Sequence, residues 1–159
     1  MSGVALEFTE KGLTEALLKI ERISEAPTEE LAEGIGRLVQ EQTRRRITSE
    51  KTAPDGSAWR SNRAGTSILL RSGALADSID YVASPDSIVV GSGLIYARIH
   101  QEGGTIVPKT AKMLAFMAGG RLVFAKSVNM PRRQYLGLSP DNQTEIVEAA
   151  EDWLERLIQ

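Results

Sequence analysis

Residues 113–125 read MLAFMAGGRLVFA, two short apolar runs joined by Gly119-Gly120. Two adjacent glycines between such runs signal a two-residue hairpin, because a type I′ turn needs positive φ at both central positions. A two-residue loop sets Met117 opposite Leu122 and Phe116 opposite Val123, which commits this part of the chain to antiparallel pairing. A second hairpin is expected upstream. Strand-like runs at about 79–83 and 87–91 flank Pro85-Asp86, a turn pair. Thr105-Ile106-Val107 reads as a further short strand before Pro108.

Helical signals bracket these strands. Leu13, Leu17 and Ile20 form one apolar stripe, with Thr9 before them as an N-cap. Ahead of that, Val4, Leu6 and Phe8 alternate as in a short strand. A second helix starts at Pro27-Thr28, where Glu29 and Glu30 suit the positive end of the helix dipole. Leu31, Ile35, Leu38, Val39 and Gln42 carry its periodicity to about Ile47. A short helix is expected at about 70–78 with Ser72 as cap. Residues 96–101 read as a helical turn or a strand, ended by Gly103-Gly104. Ser139-Pro140 is a good N-cap followed by proline at the first helical position. Ile146, Val147, Ala150, Trp153, Leu154, Leu157 and Ile158 then give the last helix an apolar face. The expected class is α+β: two N-terminal helices, a mainly antiparallel β-sheet with hairpins, and a C-terminal helix packed on the sheet.

The 159 residues fit a single domain over 1–159, with a long exposed loop at about 48–67. That loop is rich in Ser, Thr, Gly, Asn and Lys and turns at Pro54-Asp55-Gly56. Trp59 is its only large apolar residue. A net charge of -2 gives no overall positive field to draw the chain to DNA. Cysteine is absent, which excludes disulfides and thiolate zinc sites and fits a reducing cytosol. Met1-Ser2-Gly3-Val4 opens no signal-peptide pattern, and no apolar run approaches a membrane span, so a soluble intracellular product is expected.

Chemistry is sparse. With one histidine, His100, little remains for a transition-metal site, and no metal or other cofactor is expected. Ser92 and Glu102 lack the signature of a nucleophile elbow or triad. Gly91-Ser92-Gly93 lacks the spacing of a dinucleotide fingerprint, and no phosphate loop is present. The carboxylates of the last helix fall largely away from its apolar stripe, as on a solvated face. Arg44, Arg45 and Arg46 suit the negative end of a helix dipole. With Lys51, Arg60 and Arg63 they also form a basic group around the loop that could touch DNA phosphates. No groove-reading motif accompanies them.

Four phrases in fixed order then stand out: Pro54-Asp55-Gly56 with Trp59; Leu70-Arg71-Ser72-Gly73-Ala74-Leu75 with Ser78-Ile79; Val89-Val90-Gly91 followed by Tyr96-Ala97-Arg98-Ile99-His100-Gln101-Glu102-Gly103-Gly104; and Met130-Pro131-Arg132-Arg133-Gln134-Tyr135-Leu136-Gly137-Leu138-Ser139. Over roughly residues 50–158 the chain resembles the phage virion morphogenesis family, which includes Mu-like tail-completion proteins, and the wider tail-component family of long-tailed phages. The resemblance implies a non-enzymatic virion subunit of the tail or neck. Such a subunit completes or terminates the tail and helps join it to the head. Its implied partners are copies of itself in a closed, hexameric ring, the tail tube and head-side connector proteins, with nonspecific contact to DNA in the lumen and none with membrane. A head–tail connector is the alternative, and a DNA-binding accessory protein using the basic loop is the alternative of another class.

Within the phrases, Tyr96, Arg98, His100 and Gln101 suit a subunit interface, or else Tyr96 and Ile99 are core and His100-Gln101 cap a turn. Trp59 and Arg60 could anchor a partner, or Trp59 could fold back onto its own sheet. Arg132, Arg133 and Tyr135 could meet a neighbouring subunit, or Tyr135 and Leu136 pack beneath the last helix. Unpaired strand edges would be satisfied by head-to-tail pairing in a ring.

Overall fold

The computed structural model describes residues 10–159. The expected strand at Val4, Leu6 and Phe8 and the Thr9 cap lie outside the described residues. The element order is α1 (Glu10–Ser24), α2 (Thr28–Arg45), a π-helical turn (Arg46–Glu50), α3 (Ala74–Asp77), β1 (Ile79–Ser84), β2 (Ser87–Ser92), α4 (Ala97–Glu102), β3 (Gly104–Ile106), β4 (Leu114–Ala118), β5 (Arg121–Ala125), β6 (Val128–Met130) and α5 (Pro140–Ile158).

The α+β class and the antiparallel hairpins hold. In β4–β5, Met117 faces Leu122 and Phe116 faces Val123, with Gly119 at φ 58° and Gly120 at φ 75°. Both glycines therefore take the left-handed conformations that the turn demands. The β1–β2 hairpin turns at Pro85-Asp86 between Ser84 and Ser87. Residues 97–102 resolve to a helix, closed by Gly103 at φ 70°. No side chain fits at Gly103, because a Cβ there would lie 2.7 Å from the Arg132 amide nitrogen.

Two features correct the expected layout. The strands do not form one sheet. They form three separate two-stranded ribbons, β1–β2, β3–β6 and β4–β5. The β3–β6 pair joins residues 104–106 to 128–130, so it clamps the base of the intervening chain and leaves β4–β5 as an arm. Nor does α5 lie on a sheet. It packs on α2 and α1, while α2 turns another side to β1 and β2. The reason is visible in the bonds: Gln42 of α2 donates to the Asn142 carbonyl and the Glu145 carboxylate, and Arg45 reaches Glu145 at 3.0 Å. The start of α5 is fixed by Ser139, whose hydroxyl accepts from the Asn142 amide while the Asn142 side chain accepts from the Ser139 amide.

Two expected elements are altered. The helix at 70–78 shrinks to Ala74–Asp77, because Leu69 (φ 57°) and Gly73 (φ 78°) bend the chain before it. The apolar stripe of α1 is present but stays open: Leu13 is 61% exposed, Leu17 56% and Ile20 61%. The core is formed elsewhere, by Ile47, Trp59, Leu75, Ala76, Ile79, Ala97 and Tyr135.

Candidate assembly surface

The residues singled out in the sequence divide into internal staples and surface groups. Arg46 is the largest fully buried side chain. Its guanidinium donates to the carbonyls of Tyr135 and Gly137 and to Asn142 Oδ1. It thereby ties the end of α2 to the approach to α5, and burial pushes its pKa down. Lys51 donates to the Ile47 and Ile68 carbonyls, and burial lowers its pKa also. Arg44 donates to the Ile79 carbonyl and pairs with Glu41, and Arg45 bridges Glu50 and Glu145. The basic group thus does not stand together as one set of free side chains. Arg46 is buried, and Arg44, Arg45 and Lys51 are engaged by groups of the chain itself. Arg60 and Arg63 remain exposed.

The loop at 48–67 is mostly exposed but has structure of its own. Ser49 and Glu50 complete the π-helical turn, Asp55 accepts from the Ser57 amide and hydroxyl, and Thr52 bridges Ala58. Those two bonds from Ser57 hold the Asp55 carboxyl below its ordinary range. Trp59 does not stand out as an anchor. It is buried in the core, and its indole N–H donates to the Gln134 carbonyl at 3.0 Å.

The other phrases serve the same framework. Gln101 accepts from the amides of Tyr135 and Leu136 and donates to the Leu136 carbonyl. Tyr135 is buried, and its hydroxyl donates to the Ala97 carbonyl at 2.9 Å. Arg133 is also buried and donates to the Arg60 and Ser61 carbonyls, fastening the loop to the chain after β6. Arg132 is held by Gln134, and the exposed Arg98 by Glu102. Gln101, Arg133 and Tyr135 therefore hold segments of one chain together, and their side chains are not offered to a neighbour. Tyr96 stays partly exposed, edge-on to His100 with ring centroids 5.9 Å apart. His100 Nδ1 is buried without a hydrogen-bond partner, and burial, then the Arg133 charge, lowers its pKa. Ser92 is engaged by Ser78 and the Leu94 amide, and Glu102 by Arg98, so neither meets His100 as a triad would require. Among the described residues no group of His, Asp and Glu is placed to hold a metal ion. No described helix is long and apolar enough to cross a membrane.

What the sequence reading missed is the surface of the β4–β5 arm. One face, with Phe116 and Val123, is half-buried along a wide groove. The other carries Met117 (54% exposed), Leu122 (58%) and Phe124 (59%). The signal was present in the sequence: LAFMA and RLVFA do not alternate with polar residues, and a strand apolar on both faces is one that expects cover on both. The arm forms no substantial packing with any other described element. An isolated two-stranded hairpin is marginal in water.

The chain belongs to the phage virion morphogenesis family, whose sequence profile matches residues 8–155. It is thus a structural component of phage morphogenesis. No curated protein and no solved structure is found to match it.

Proposed function

We propose that this protein is a ring-forming subunit that completes or terminates the phage tail and helps join it to the head. The observation that carries the reading is the β4–β5 arm. It exposes Met117, Leu122 and Phe124 on one face of a ribbon that packs substantially on no other described helix or strand. Neighbouring exposed apolar side chains on one strand face suit a contact with another protein. The α1 stripe of Leu13, Leu17 and Ile20 is a second such surface on a different part of the chain. Two unlike surfaces support head-to-tail association, and a head-to-tail contact whose rotation closes gives a ring. The partners are then further copies of the chain, with the tail tube and a head-side connector above and below.

The test is genetic and structural together. A phage lacking the gene should accumulate full heads and separate tails, and purified wild-type particles should hold the chain at the tail end or neck. Finished, infectious particles without the chain would refute the reading. Tail-less heads that carry the chain would instead favour the connector role.

A further inference from the structure

The groove beside the arm has a composition that names its occupant. It measures about 1630 Å³, above the roughly 300–1,000 Å³ of ordinary small-ligand pockets, so it suits a segment of protein. Four arginines line it, Arg60, Arg63, Arg71 and Arg133, together with His100, and none of its lining residues is a carboxylate. Arg133 is committed to the loop carbonyls, which leaves Arg60, Arg63 and Arg71 exposed toward an incoming group. One wall is apolar, formed by Phe116 and Val123 of the arm.

The complement is on the same chain. α1 itself is charge-balanced, with Glu10, Glu15 and Glu21 against Lys11, Lys19 and Arg22, so the match rests on where its charges sit. Residues 51–139 carry 5 carboxylates against 11 basic side chains. On α1 the open stripe of Leu13, Leu17 and Ile20 has Glu21 on one flank, from the 100° spacing of helical residues, with Glu25 just beyond the helix. A helix with an apolar stripe and a glutamate on its flank suits a groove with an apolar wall and exposed arginines.

We infer that the groove receives α1 of a second copy of this chain, with Leu13, Leu17 and Ile20 against Phe116 and Val123 and the Glu21 flank toward Arg63 and Arg71. The groove is lined by no residue of α1, α2 or α5, so giver and receiver are distinct surfaces and the contact is head-to-tail. This rests on the ring reading above and gives it a specific contact. Duplex DNA is the other polyanion that three free arginines could attract. The apolar wall favours protein, since a phosphate backbone offers nothing to bury Phe116 and Val123.

The absence of cysteine makes the test clean. Full-length Leu17→Cys chains and Val123→Cys chains are prepared separately, mixed, and treated with a short bismaleimide. A cross-linked dimer should form in the mixture and not in either variant alone. In parallel, Arg63→Glu with Arg71→Glu, both exposed and so compatible with folding, should weaken self-association at least tenfold. Adding Glu21→Arg should restore part of the loss. An oligomer of unchanged mass without the mixed cross-link would overturn the α1 contact and leave the ring reading standing. A Leu17→Cys homodimer would replace it with a symmetric contact. Loss of binding to a duplex DNA probe in the Arg63/Arg71 variant, with self-association unchanged, would assign the groove to DNA. A chain that is monomeric throughout would overturn both readings.

Discussion

Replacing Arg46 by alanine should reveal whether the basic cluster is an internal staple. The guanidinium gives three hydrogen bonds, to the Tyr135 and Gly137 carbonyls and to Asn142 Oδ1, from a residue only 1% exposed. Alanine leaves these acceptors with fewer partners, and each buried acceptor left unsatisfied costs about 1–3 kcal/mol. Relief from burying a charge offsets part of this. The net expectation is a loss of about 2–4 kcal/mol, a large share of the roughly 5–15 kcal/mol that holds a domain together. The assay is urea unfolding followed by tryptophan fluorescence at fixed protein concentration, because self-association would otherwise shift the midpoint. With a slope of about 2 kcal/mol/M, the midpoint should fall by about 1–2 M. Arg46→Lys should recover little of the loss, because a single ammonium cannot reach three acceptors held in a fork geometry. A midpoint unchanged in Arg46→Ala, or fully restored by lysine, would refute the staple.

Other perturbations have definite signs. Gly34 and Gly36 both lie in α2, yet their alanine variants should move in opposite directions. A Cβ at Gly34 meets nothing within 4 Å, so Gly34→Ala should stabilise by about 0.5–1 kcal/mol through helix propensity. A Cβ at Gly36 would run into the Tyr81 ring, so Gly36→Ala should destabilise by about 1–3 kcal/mol, checked by the same unfolding curves. His100 has its pKa lowered by burial and by Arg133, so below the unfolded value of about 6.5 the unfolded chain binds more protons than the folded one. Stability should be full above that value, decline as pH falls through it and level off below the folded pKa. His100→Gln should flatten that decline between pH 7 and 5.

How much was legible depended on distance along the chain. The β4–β5 register, the Pro85-Asp86 turn and the Ser139 cap are fixed by neighbours within a few residues, and glycine or proline chemistry announces each. The roles of Arg46, Gln101 and Arg133 were not legible, because their partners lie 34 to 96 residues away. A buried arginine bonded to carbonyls and an exposed one awaiting a partner look alike in sequence. The same holds for Trp59, which sits in a polar loop but buries itself under residues 75 positions later. Local polarity left open both an exposed anchor and a fold back onto its own sheet, and the core of Ile47, Leu75, Ile79 and Tyr135 is where it lies. The open face of the arm was overlooked for the converse reason. Met117, Leu122 and Phe124 look like ordinary core strand residues until the β3–β6 clamp is seen to hold their hairpin away from the body.

The central claim is that these open apolar surfaces are closed by further copies of the chain. Native mass spectrometry of the purified full-length protein tests it most directly. The account predicts one dominant closed species, an integer multiple of the 17.3 kDa chain, whose mass stays fixed as concentration rises. A monomer across the whole concentration range, or an open-ended ladder that keeps lengthening, would contradict it.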